Sequence, residues 1–161
     1  MQPIPPPIPM EHPFNSNQAA EPTNLIQRNQ EIMRQFEIMI NTADDALAEK
    51  LVAADASFLT PASPEPLYGG KGYLSVVHWL RQSFSDVQWK LEEMVANEDK
   101  VAVLWTLTGT HDGDFFGLPA TGTKIKTTVM NFYSINREGK ITQDVAAEGM
   151  LGILRPLGLC K

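Results

Sequence analysis

The feature that most constrains this chain is a change of hydrophobic period near residue 86. Ahead of it, apolar side chains recur at steps of three and four. Leu25, Asn29, Ile32, Phe36 and Met39 mark one helical face; Ala43, Leu47, Leu51 and Ala54 mark a second. Asn41 or Thr42 fits as the N-cap of that second helix, with Asp44 and Asp45 in its first turn. SFLTP at 57–61 reads as a short strand stopped by a proline-rich loop. Gly69-Gly70 then precedes a third helix, with Tyr73, Val77, Leu80 and Phe84 on one side. Beyond residue 86 the period is two. Val87, Trp89, Leu91 and Val95 alternate with polar residues, and VAVLWTLTG at 101–109 reads as a strand buried on both faces. Two more strands follow, over 123–135 and from about 140 to 148. Helices first and a long antiparallel meander after them make an α+β pattern, with helices packed on a curved, mostly antiparallel sheet. A cone of this kind encloses a pocket, the usual place for a small ligand.

The ordered domain is read as 25–161. Residues 1–24 hold seven of the twelve prolines and only Glu11 and Glu21 as charged groups. Such a stretch favours polyproline II and cannot bury a core, so it is expected to be an unfolded tail or a ligand for a proline-reading module. The formal net charge of −6, without a basic cluster, argues against nucleic acid or an anionic membrane as partner. No apolar run approaches the ~18–20 residues of a spanning helix. The first residues lack the basic and apolar regions of a signal peptide. Cys160 is the single cysteine, so no internal disulfide can form, and a reducing cytoplasm is the expected location.

Several polar residues sit where apolar ones are expected. Asn131 stands in the inward row Thr127, Val129, Asn131, Tyr133 and Ile135. It is either a structural amide or one that orients a substrate carbonyl. Asp144 and Glu148 share a face of the last strand, roughly 13 Å apart, too far for a carboxylate dyad. Each alone could be a general base if desolvation raises its pKa, or part of a solvated row. His111 ends a strand, as a proton shuttle or a rim histidine. With only His12, His78 and His111 and no ligand spacing, no metal site is expected. Trp79, Trp105, Tyr133, Phe115 and Phe116 are either pocket lining or plain core. GGKG at 69–72 lacks the wider phosphate-loop pattern, and no GxSxG elbow occurs.

GTHDGDFFGLPATGTKIK, MNFYSINREGKI and LGILRPLG, in that order, resemble the SnoaL-type polyketide cyclases of the nuclear transport factor 2-like superfamily. The similarity spans about residues 28–158. It implies a cone-shaped fold with a deep apolar pocket, and a dimer or tetramer built through the sheet. It further implies an intramolecular aldol closure, or an isomerisation, of an apolar carbonyl compound by a carboxylate, without metal or organic cofactor. The family's usual catalytic aspartate position is Gly149 here. Glu148 is the nearest carboxylate, and Asp144 falls where many members carry histidine. The base has therefore moved to Glu148 or Asp144, or the chain does other work. A hydroxylase, dehydratase or epoxide hydrolase, and a non-catalytic binding or assembly module, are the alternatives on the same scaffold. His111 and Asn131 match positions that are polar in the family. The glycines and Pro119 shape a rim loop, which Phe115 and Phe116 would lid, with Asp112 and Asp114 solvated.

Overall fold

The computed structural model describes residues 22–60, 63–147 and 153–159. Three helices, α1 (Pro22–Thr42), α2 (Asp45–Leu51) and α3 (Gly69–Ser83), pack on a six-stranded sheet. Its strands are β1 (Val52–Thr60), β2 (Ser63–Tyr68), β3 (Gln88–Ala96), β4 (Lys100–Thr110), β5 (Lys124–Ile135) and β6 (Ile141–Ala147). The order across the sheet is β2-β1-β6-β5-β4-β3, and only the β1–β6 pair is parallel. The fold is thus α+β with a mixed sheet.

α1 forms because its apolar residues repeat at helical spacing. Asn29, Ile32, Met33, Phe36, Met39 and Ile40 are buried on one side. Phe36 sits at the centre of the main core, with ring centroids 5.0 Å from Tyr73, 5.3 Å from Tyr133 and 6.3 Å from Trp105. Ala43 at φ 54 ends the helix, and the cap of α2 is Asp44, whose carboxylate accepts from Leu47 N at 3.0 Å. The expected cap at Asn41 or Thr42 is therefore corrected. Asn41 instead clamps the edge of β3: its Nδ2 donates to Trp89 O at 2.7 Å and its Oδ1 accepts from Trp89 N at 2.9 Å. Glu37 accepts from Leu91 N at 2.9 Å. Two α1 side chains thus occupy backbone groups that an edge strand would leave open.

Other differences have equally local causes. Ala54, expected in the second helix, lies in β1, because α2 stops at Leu51. The proline-rich loop after 61 becomes β2, paired antiparallel with β1. Gly69-Gly70 opens α3 rather than preceding it; a Cβ on Gly70 would come within 2.6 Å of Ala48 O, so glycine lets α3 meet α2. In β3 a bulge between Leu91 and Glu93 shifts the alternation by one. Val95, expected inside, is 75% exposed, and Met94 packs on the core in its place. β4 is buried on its inner face, while Ala102 and Leu104 on the other face are only half-buried. A second apolar cluster, with Leu80, Phe84, Leu107, Phe115, Ile125 and Ile153, closes the far end of the sheet.

Candidate functional site

The inward rows of β5 and β6 meet the aromatic core at one carboxylate. Tyr133 on β5 pairs with Asp144 on β6, and Asn131 lies one pleat along the same inner face. Asn131, almost fully buried, donates from Nδ2 to Asp144 Oδ1 at 2.7 Å. Trp105 Nε1 donates to the Tyr133 hydroxyl at 3.1 Å, and both rings are buried. Tyr73 arrives from α3, its ring held edge-on against Phe36 and Phe58 at 5.0 Å each. Its phenol interacts with both Asp144 and Tyr133.

Burial pushes the Asp144 carboxyl up to about 6, against the opposing pull of hydrogen bonding from Asn131 and Tyr73. Burial also raises Tyr73 and Tyr133 well above the ordinary phenol value, and Asp144 adds to the shift of each. Both phenols remain protonated donors at neutral pH. The result is a carboxylate against the aromatic core, with one oxygen held by an amide and a phenol beside it. That is the arrangement of a desolvated general base with hydrogen-bond donors at hand.

The structure brings together Asp144, Asn131, Tyr133 and Trp105 and leaves His111, Trp79, Phe115 and Phe116 apart. His111 lies eight positions along β4 from Val103, the partner of Asn131, about 25 Å along an extended strand. It is buried in the second cluster, its ring 5.4 Å from Phe84 and 6.4 Å from Phe115. Trp79 and Phe116 belong to that cluster too, with centroids 5.6 Å apart. Glu148 and Gly149 lie outside the described residues. Asp112 and Asp114 are exposed, yet each has a structural task. Asp112 accepts from Ser85 N at 2.9 Å and from the Ser85 hydroxyl, and Asp114 accepts from Gly117 N at 3.0 Å. Tyr73 was missing from the sequence candidates; its place on the apolar stripe of α3 marked it as core. The available signal was a phenol on a helix face that turns toward a strand carrying a carboxylate.

A groove of about 380 Å³ is lined by Glu49, Val52, Tyr68, Lys71 and Lys140 among others, and Asp144 is not in its wall. Lys140 Nζ donates there to Glu49 O at 2.8 Å, and Lys71 lies 3.9 Å from the Glu49 carboxylate. Among the described residues only Lys71 and Glu49 form an ion pair there, and both are exposed, so the half-buried Asp144 cluster is the chemically stronger site. Among the described residues, no group of three or more His, Cys, Asp or Glu side chains could hold a metal ion. No helix among them is long and apolar enough to cross a membrane.

The family model for SnoaL-like polyketide cyclases matches residues 30–157. The chain belongs to this family. Solved relatives share its fold. A provisionally described polyketide cyclase from Acidithiobacillus ferrooxidans is 26% identical over 83% of this chain and 96% of its own, with a TM-score of 0.70. TsrD from Streptomyces laurentii is 22% identical over 83% and 97%, with a TM-score of 0.72. A SnoaL-like polyketide cyclase from Agrobacterium tumefaciens is 19% identical over 81% and 98%, with a TM-score of 0.64. No curated protein matches the chain. Within this SnoaL-like fold Asp86 and Asp112 also accept from two donors each, but at exposed positions; Asp144 does so beside the aromatic core.

Proposed function

We propose that this SnoaL-like protein closes or isomerises a small apolar carbonyl compound, with Asp144 as the base. The observation that carries the reading is the half-buried Asp144 carboxylate, held by Asn131 at 2.7 Å and raised by desolvation to about 6. Desolvation makes the carboxylate a stronger base, and a value near 6 leaves it ionised at neutral pH. It takes the proton from the carbon next to a carbonyl, and the electron pair of that C–H bond becomes an enolate. Tyr73, still protonated, donates to the enolate oxygen. The enolate carbon then forms the new C–C bond to a second carbonyl carbon held close by the apolar walls. The resulting alkoxide recovers the proton from the Asp144 carboxyl, which restores the base. His111 is too far along the sheet to take part.

The active form is proposed to be a homodimer. Val95, Met130, Phe132 and Val145 are 55% or more exposed on the outer face of the sheet.

Proton abstraction is testable without knowing the natural substrate. Deuterium wash-in at the α-carbon of a hydrophobic 1,3-diketone is followed by NMR in D₂O. The native protein is expected to accelerate exchange, and Asp144→Asn to lose 10²–10⁴-fold of that acceleration. Equal exchange with both proteins rules out Asp144 as the base.

A further inference from the structure

The second apolar cluster contains a polar atom that the Asp144 chemistry does not use. His111 is fully buried, and its Nε2 has no hydrogen-bond partner. The other ring nitrogen, Nδ1, lies 2.9 Å from Thr121 Oγ1. Thr121 Oγ1 donates its hydrogen to Thr123 Oγ1 at 2.8 Å and accepts from Thr123 N at 3.2 Å. It has an acceptor site left for His111 Nδ1. We take the tautomer in which Nδ1 donates to Thr121 Oγ1 and Nε2 carries the lone pair; rotation of the two threonine hydroxyls allows the opposite one as well. An unsatisfied buried acceptor of this kind costs free energy comparable to a lost hydrogen bond.

A strained turn lies beside it. Phe115 and Leu118 exchange backbone bonds at 3.0 Å across a tight turn in which Phe116 has φ 51 and Gly117 φ 79. Positive φ at both central positions suits Asn-Gly or Gly-Gly, and a bulky residue at the first is a costly choice. The turn holds the Phe116 ring 56% exposed at its tip, 5.6 Å from Trp79 and 4.7 Å from Phe115. Phe115 in turn lies 5.1 Å from Phe84, which faces His111. Aromatic faces thus run from solvent to the bare nitrogen. Three carboxylates lie near the turn, with Lys124 and Arg155 as the basic residues of the same region. Asp86 accepts from Thr110, Asp112 from Ser85 and Asp114 from Gly117, so none donates to the imidazole.

We infer that His111 and the rings of Trp79, Phe84, Phe115 and Phe116 form a second ligand subsite, separate from Asp144, for a neutral planar molecule whose hydroxyl donates to His111 Nε2. The lone pair requires a donor. The excess of carboxylates disfavours an anion, and a cation would carry a larger desolvation cost than a neutral hydroxyl. Entry requires the Phe115–Leu118 turn to swing outward. Binding at this subsite needs no turnover, so its failure is distinguishable from failure of the Asp144 chemistry.

The probes are 2-naphthol and 2-methoxynaphthalene, which share a ring system but differ in the donor. Titration followed by tryptophan fluorescence is expected to show 2-naphthol binding about tenfold more tightly, the scale of one hydrogen bond to a buried acceptor. His111→Phe should bring the two affinities together. Because that substitution falls in the core, a second measurement uses the native protein labelled with ¹⁵N-histidine. The His111 Nε2 resonance should be that of a lone-pair nitrogen without ligand. It should move toward a hydrogen-bonded position with 2-naphthol and stay in place with the methyl ether. Equal affinity for the two probes, no binding of either, or an Nε2 already hydrogen-bonded to water in the free protein overturns the inference.

Discussion

At the scale of single residues, Asp144 ties stability to activity. Its folded-state value of about 6 lies above the ordinary aspartate value of 3.8, because burial penalises the charged form. The protonated carboxyl therefore favours the folded state. That contribution is fully present below pH ~4 and is lost as pH rises through about 6. At neutral pH the buried charge costs on the order of 3 kcal/mol. Asp144→Asn is neutral at every pH and can still accept from Asn131. It is expected to raise Tm at pH 7.5 and to leave it nearly unchanged at pH 4, as calorimetry at the two pH values would read. A gain of equal size at both would mean that the charge is not the source of the cost. Tyr73 supplies a separate test. Its hydrogen bonding pulls the Asp144 value down against burial, so Tyr73→Phe should move the acid limb of kcat/KM to higher pH. A lowered plateau with an unmoved limb would leave Tyr73 without influence on the carboxyl.

At the scale of elements, the substitutions that matter are those that join helix to sheet. Asn41→Ala removes both hydrogen bonds to Trp89 and is expected to cost about 1–3 kcal/mol. Asp44→Ala removes the cap of α2, for about 1 kcal/mol. Urea unfolding should rank the two in that order; the reverse order would mean that the α1–β3 clamp is dispensable. The same two residues show what the sequence could reveal. α1 and α3 were legible because their apolar spacing is set by one-sided burial, β5 because its alternation has period two, and β4 because of its unbroken apolar run, which suggested burial on both faces where the structure has it on one. Asn41 was misassigned because a short polar residue near a helix end caps equally well by propensity. Only the position of β3 decides which backbone it reaches. β2 was hidden by Pro64 and Pro66, which edge strands tolerate because half of their backbone groups need no partner. The β3 bulge, which put Val95 outside, has no composition signal in QWKLEEMVA. Alternation put Asn131 in a row with Tyr133 and Ile135 but left the face of Asp144 open, because a register shift at Ser134 and Ile135 decides it; their 2.7 Å contact depends on that register between strands. Tyr73 joins them through packing of a helix 60 residues away in sequence, which no local pattern encodes.

At the scale of the whole molecule, the outer face of the sheet is divided in two. Val95, Ala102, Met130, Phe132 and Val145 gather toward one end, and Val95 pairs with Ala102, Ala102 with Phe132, and Phe132 with Val145 across four strands. Toward the other end the same face carries Thr106, Thr108, Lys126 and the Lys90–Glu92 ion pair at 2.9 Å. An exposed apolar row of this breadth is uncommon on a monomer's surface. Lys90, Lys126 and Glu92 put both signs beside it, so a second copy turned by a two-fold axis can meet apolar with apolar and lysine with glutamate. The α helices cover the opposite face, so pairing through this one leaves the Asp144 cluster untouched. Phe132→Glu places a charge at the centre of the row, where the side chain is already 59% exposed and contributes little to the fold of one subunit. Light scattering at micromolar concentration is expected to give twice the chain mass for the native protein and the single mass for Phe132→Glu, with unchanged circular dichroism. Deuterium exchange by the monomeric variant then reports on the site. If the rate per chain is retained, each chain holds a complete Asp144 site; if it falls, pairing also shapes that site. A native protein that already runs as a monomer rejects the two-fold arrangement.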